Sequence, residues 1–315
     1  MEAQVEAGRF VVETPQIQRL QRRHFILFNV LPLLLIIATP LYWDWLYHGG
    51  FEIALFATMW LLTSLGITVG FHRLFTHRSF QVAPSVQIAL AVLGSMAAQG
   101  GITSWVAIHR LHHEKSDTES DLHSPNLHGE GFANRLRGLL HSHVLWMRRH
   151  PYPNVVRFAP DLLRSRHLRS INRNYLNIVW IGLLLPTAAG FAYHGDLSGA
   201  LSGLFWGGVL RLFVLEHIIW SINSFLHVFG NRTYETRDSS RNVGVLGLIT
   251  LGESWHNNHH RFANSPSFGL KWHNLDPGYW LIKGLEALGL ATDLRMPDPA
   301  QVEARRALPS TSAHL

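Results

Sequence analysis

The chain contains no cysteine. That absence removes disulfide frameworks, thiolate zinc sites, cysteine-held iron–sulfur clusters and cysteine nucleophiles. Charge is also scarce, at 15% of residues, where an ordinary soluble domain carries about 25%. The deficit points to long buried spans. No internal repeat and no interdomain linker interrupts the sequence. The opening segment has acidic residues and no short apolar core behind a basic start, so it does not read as a cleaved signal peptide. The formal net charge of +6 fits cytoplasmic loops facing anionic lipid better than a nucleic-acid partner.

What is abundant is apolar sequence, 47% of the chain. Runs near 20 apolar residues are the signature of a membrane helix. Four occur, at 25–43, 51–70, 175–193 and 200–225. The links at 44–50 and 194–199 hold no Lys or Arg. The N-terminal segment holds four, the 71–174 loop thirteen and the region after Phe225 nine. Basic residues mark the cytoplasmic side, so both termini and the long loop are expected there. A fifth run, 84–103, has basic residues at both ends, Arg73 and Arg78 before it and Arg110 and Lys115 after it. It reads as non-spanning: a segment that dips in and returns, or two short helices packed on the bundle. The expected organisation is a cytoplasmic segment 1–24, one integral-membrane domain 25–290 and a disordered tail 291–315. The expected class is all-α, a four-helix membrane bundle with a cytoplasmic helical cap.

Histidine, at 21 residues, is the outlier. "HRLFTH" supplies His72 and His77, "HRLHH" His109, His112 and His113, "NSFLH" Asn223 and His227, and "HNNHH" His256, His259 and His260. In HxxHH the residues at i, i+3 and i+4 share one helical face. Asn223 and His227 do the same at i and i+4. His72 and His77, five apart, sit about 140° apart on a regular helix, so they share a metal only if the helix ends or loosens. The second and fourth spans both run inward, so all four groups can meet under the membrane surface. A tetrahedral zinc needs only four ligands, so nine imidazoles suit two metals in the cap, with Asn223 acting through water. Neutral imidazole suits iron, zinc, copper and nickel. Glu114, Asp117 and Asp121 could fix histidine tautomers. His123 lies near the cluster without an assigned part. In the fourth span Arg211, Glu216 and His217 are suspects by default, Arg211 and Glu216 alternatively forming a plain ion pair.

The order HxxxxH, HxxHH, NxxxH, HxxHH around four spans resembles the membrane fatty acyl desaturases, in particular the acyl-CoA Δ9 type. "GITVGFHRLFTHRSF", "SDTESDLHSP", "SHVLWMRRHP", "SINSFLHVFGNR" and "LGESWHNNHHRF" resemble that family's local patterns, from about Gly66 to Leu290. The resemblance implies two irons held by His72, His77, His109, His112, His113, His227, His256, His259 and His260, with Asn223 holding a water. It implies O2-dependent removal of two hydrogens from a saturated acyl thioester, leaving a cis double bond. It further implies a substrate tunnel lined by Trp105 and Trp220, and a head-group contact at Arg148 and Arg149. Trp105 and Trp220 could equally be packing residues, and the two arginines plain lipid contacts. Where animal acyl-CoA enzymes carry Arg-Asp before HxxHH, this chain has Ala107 and Ile108. "DPH" becomes Asp121-Leu122-His123, and Ser254 replaces a glycine in "GEGWHNNHH". Loss of that arginine opens acyl carrier protein or an intact lipid as the carrier beside CoA. No haem or flavin domain is appended, so a separate electron donor of ferredoxin, cytochrome b5 or reductase type is expected. Two other readings stay open: a histidine-box hydroxylase, ketolase or acetylenase, and a membrane metal carrier.

Overall fold

The computed structural model describes residues 10–306. Residues 1–9 and 307–315, the outer parts of the expected N-terminal segment and tail, lie outside the described residues. Four helices are long and apolar enough to cross a membrane: α1 (Pro15–Leu41), α2 (Gly50–Thr76), α6 (Tyr175–His194) and α7 (Leu197–His227). Between them lie α3 (Pro84–Ser95), α4 (Ile102–Lys115) and α5 (Phe132–His143). After α7 come α8 (His256–Arg261), α9 (Pro277–Ala287) and α10 (Pro299–Ala304). Among the described residues the only sheet is a pair of two-residue antiparallel ladders. One joins β1 (Val11–Val12) to β3 (Tyr152–Pro153), the other β2 (Gln81–Val82) to β4 (Ala291–Thr292).

Each helix has a local cause. The Thr14 hydroxyl accepts from the Ile17 N–H at 3.2 Å and Pro15 follows it, capping α1. Leu34, Ile37, Leu184 and Leu185 remain exposed on the outside of the bundle, where lipid tails would cover them. The 84–103 run splits into a 12-residue helix, α3, and the start of α4, with Gly100 and Gly101 between them. At 1.5 Å per residue α3 is about 18 Å long, short of a ~30 Å hydrocarbon core. It packs against α2 so closely that a Cβ on Gly66 would overlap the backbone of Leu93 and Gly94. Close backbone approach through small residues is how membrane helices gain packing contact. The α6–α7 crossing works the same way through Gly190, Gly199 and Gly203.

Arg211 explains itself through its neighbours. Pro186 interrupts α6 and has no N–H for the carbonyl of Gly182. Arg211, buried in α7, donates to that carbonyl at 2.8 Å, to the Met96 carbonyl just past α3 at 2.7 Å, and to Gly207 at 3.0 Å. It replaces backbone donors that a non-polar medium cannot supply. The plain ion pair with Glu216 is absent from the ion pairs of the described residues. Within the segment expected to be a disordered tail from 291, β4 completes a ladder, α10 is capped by Asp298, and Arg306 bridges Tyr234.

Under the bundle, Phe71, Leu74 and Phe75 of α2 pack with Leu90 of α3, Val106 and Leu111 of α4 and Ile282 of α9. Each such side chain contributes about 1.5–3 kcal/mol when fully buried. This core holds the ends of α2 and α4 in register, and those two helices carry His72, His109, His112 and His113.

Candidate metal centre

The α2 helix changes pitch before its first histidine. Gly66–Thr76 is π-helical, eleven residues long, and the His77 N–H donates to the His72 carbonyl at 3.1 Å. A bonding step of five residues stacks positions five apart, so His72 and His77 come onto one side, their rings 5.0 Å apart. The helix loosens where HxxxxH needs it to. His109, His112 and His113 come from α4, His256, His259 and His260 from α8, and His227 from the last turn of α7.

The nine imidazoles sort into two groups. His72, His77, His109, His113 and His259 form one; His112, His227, His256 and His260 form the other, ligand-capable atoms lying within 4.8 Å in each. Each adjacent pair is divided: His113 and His259 face the first group, His112 and His260 the second. The groups abut, with His113 and His260 rings 4.5 Å apart. Asn223 is half-buried on α7, one turn before His227.

In the first group Nε2 atoms face one another: His72 to His259 at 3.0 Å, His259 to His113 at 2.9 Å, His113 to His109 at 3.0 Å. In the second, His227 and His256 face at 3.0 Å. The outer nitrogens meet carboxylates. Nδ1 of His72 lies 2.6 Å from Glu253, that of His112 3.1 Å from Asp121, that of His227 3.0 Å from Asp117, and that of His260 2.7 Å from Asp238. A carboxylate fixes the proton on Nδ1 and leaves a lone pair on Nε2. Nitrogens brought this close need a proton or a metal ion between them. Imidazole nitrogens bind such ions at about 2.0–2.1 Å, so nitrogens grouped this closely could share one. Nε2 of His77, His112 and His260 is buried without a hydrogen-bond partner. The donor set therefore fits two imidazole-ligated metal ions, one per group.

Electrostatics agree. Burial drives His77, His109, His113, His256 and His259 well below the ordinary imidazole value. Burial also brings His260 down to about 4, against the pull of Asp238. Those rings are neutral near pH 7, the form that binds metal. His112 is the exception: burial lowers it, but the Asp121 carboxylate outweighs burial and raises it. Asp117, Asp121 and Asp238 are held below the usual carboxylate range; burial opposes this, but their histidines and hydrogen bonds prevail.

Of the carboxylates expected to fix tautomers, Asp121 lies against Nδ1 of His112 and Asp117 against Nδ1 of His227. Glu114 instead pairs with Arg157 at 3.2 Å on the surface. Sequence reasoning missed Glu253 and Asp238. Glu253 was detectable, three residues before His256 in the same motif; nothing local marks Asp238, which folds back from a loop. Glu253 also accepts from Thr68 and lies 3.6 Å from the fully buried Arg73, which pairs with Asp276 at 2.9 Å. Arg73 thus ties α2 to the chain around α8.

Trp105 stacks on His109 at 5.1 Å and 13° and lies 6.0 Å from His72. Trp220 is buried against His143 and His217, outside both groups. Arg148 and Arg149 are exposed, Arg149 lying 3.4 Å from Glu13. A pocket of about 450 Å³ opens beside His77, with Arg78, Arg110, Arg157, Arg295 and Glu114 in its walls.

Fold and site together define a helical histidine-box protein with membrane-length helices and two adjoining imidazole groups. Residues 43–292 match the family model for fatty acid desaturases, and the chain belongs to that family, whose members are oxidoreductases. It is 47% identical to the hex-5-enoyl-[acyl-carrier protein] acetylenase of Moorena producens (strain JHB), over 94% of this chain and 92% of the relative. It is 36% identical to the sn-1 stearoyl-lipid 9-desaturase of Anabaena variabilis, over 77% and 83%. It is 39% identical to the Delta-9 acyl-lipid desaturase 1 of Arabidopsis thaliana, over 75% and 73%.

Proposed function

We propose that the protein removes two hydrogens from a fatty acyl chain with O2 and two electrons, at two irons held by the nine clustered histidines and, through water, Asn223. The observation that carries this reading is the pair of adjoining imidazole groups, with His72, His112, His227 and His260 backed by carboxylates. When bound, the irons supply the oxidising power that an unactivated C–H bond requires and that no acid–base side chain can offer. The chain's own residues do the rest. His72, His77, His109, His113 and His259 hold one ion; His112, His227, His256 and His260 hold the other. Glu253, Asp117, Asp121 and Asp238 keep the imidazole tautomers fixed. Trp105 over His109 and Trp220 on α7 position the acyl chain and exclude water.

The carrier is a thioester on acyl carrier protein. Two points support this over CoA: the arginine of the acyl-CoA enzymes is replaced by Ala107, fully buried in the core, and the acetylenase relative is named for an acyl-carrier-protein substrate. Arg148 and Arg149, exposed beside the cap, serve the carrier's phosphate. A separate acidic electron donor is supported by the arginine-lined pocket at His77. The active site and both termini face the cytoplasm of an integral membrane protein, in keeping with the basic long loop. Removal of hydrogens from an existing double bond, giving an alkyne, is a second reading, favoured by the 47% identity to an acetylenase. Desaturation at Δ9 has its support in the two acyl-lipid relatives.

The test is expression in a host lacking such enzymes, with mass spectrometry of acyl products and location of the new unsaturation. An added double or triple bond, lost in His112→Ala and His259→Ala while the protein still inserts, is the expected result. A hydroxylated product in place of a lost hydrogen pair would overturn it.

A further inference from the structure

His123 belongs to neither five- nor four-membered group. It shares a buried cluster with His112 and Asp121, and its ring centroid lies 4.6 Å from His112. On its other side stands Trp146, 5.0 Å away. His150 follows at 4.9 Å from Trp146, and Tyr152 at 4.9 Å from His150. His123, Trp146 and His150 are buried, whereas Tyr152 is half-buried on β3, paired with Val12. A continuous file of rings thus runs from a histidine of the metal centre to the half-buried Tyr152 on β3.

A second tryptophan lies nearer the centre but leads nowhere. Trp105 touches His72, His109 and Phe71, and among its described ring contacts none is a tyrosine or another tryptophan. The file through His123 is different because it places an indole and then a phenol in line towards solvent. Indole and phenol give up electrons only to strong oxidants. They are therefore suited to carry oxidising equivalents outward, and unsuited to carry donor electrons inward.

We infer that the file His123–Trp146–His150–Tyr152 discharges the centre when oxygen is consumed without an acyl chain in place. This rests on the proposed oxygen-activating iron centre. With iron bound and O2 as the oxidant, Trp146 would give up one electron to the centre across His123. Trp146 is restored by one electron from Tyr152 across His150, and the phenolic proton of Tyr152 goes to water. The net change is one electron gained by the centre and one hydrogen atom's worth lost by Tyr152. A small reductant of the thiol or ascorbate class returns that hydrogen atom at the surface. The device spares the histidine ligands, the groups nearest an unspent oxidant.

The experiment uses the full-length iron-loaded protein in detergent, reduced and exposed to O2 without substrate. Peptide mass spectrometry then maps oxidised side chains, and electron paramagnetic resonance looks for a tyrosyl signal. Oxidation centred on Trp146 and Tyr152, suppressed by ascorbate, is expected. In Trp146→Phe the Tyr152 marks and the tyrosyl signal are lost, while oxidation of the nine histidines rises several-fold. In Tyr152→Phe, marks accumulate on Trp146. Oxygen consumption with Tyr152 marks unchanged in Trp146→Phe overturns the inference alone. Iron-loaded protein that consumes no oxygen overturns both the inference and the function on which it rests.

Discussion

A carboxylate that touches no metal decides which nitrogen of a histidine can. Asp238 lies 2.7 Å from Nδ1 of His260 and comes from a loop remote in sequence from its motif. Asp238→Asn keeps the shape and weakens the proton's anchor. We expect about a 10–100-fold loss in metal affinity or activity, read as metal content after graded chelation. Acid should act through the same residues. His260 titrates at about 4 in the folded chain and near ~6.5 unfolded. Between those values the unfolded chain binds more protons, so stability rises with pH there and is lost as pH falls. His77, His109, His113, His256 and His259 act in the same direction, because burial lowers them too. His112 acts against them, its folded value being raised. The metal-free protein should therefore show a falling unfolding midpoint from pH 6.5 downward in detergent. A flat profile across that window would mean the buried rings are not neutral in the folded chain.

The elements show how much the sequence could tell. HxxHH places three imidazoles on one helical face by arithmetic alone, and both copies behave so on α4 and α8. HxxxxH does not: on an ordinary helix His77 points away from His72, and no residue between 66 and 76 announces a π-helical stretch. The stretch is also where α2 makes its tertiary contacts. Gly66 and Gly70 press α2 onto α3 near Gly94 and Leu90, and Arg73 is drawn towards Asp276. In the sequence Arg211 reads as a functional suspect, because only its own span is legible. Its partner, the carbonyl left free by Pro186, belongs to another helix. The division of each HH pair between two groups was equally hidden, since it depends on where α4 and α8 cross. Gly66→Ala tests the α2–α3 contact. The new methyl would meet the backbone of α3, which cannot rotate away, so we expect a loss of about 1–3 kcal/mol, seen as a lower unfolding midpoint. Metal content should fall in parallel, because the same helix carries His72. A stable Gly66→Ala protein with full metal content would show that the close packing is dispensable.

At the scale of the molecule, four membrane-length helices are an even number, and four crossings would return the chain to its starting side. The histidines at the ends of α2 and α7 are brought together by that parity, with α4 and α8 closing over them. The nine imidazoles, drawn from positions 72 to 260, converge because α2 and α7 deliver their last turns to the same face. The missing cysteines make this directly measurable. Asp44 lies exposed in the short link after α1, and Glu119 lies exposed in the long segment after α4. Asp44→Cys and Glu119→Cys each introduce the chain's sole thiol, so any maleimide label reports one position. With a membrane-impermeant reagent on intact cells, Asp44→Cys should label at once and Glu119→Cys only after the membrane is opened. The basic residues crowd the Glu119 side and avoid the Asp44 link, which is why we propose that the histidines face the cytoplasm. Labelling of both thiols from outside would place the two positions on one face. The second span would then not cross, and the helix that brings His72 to the centre would need another path.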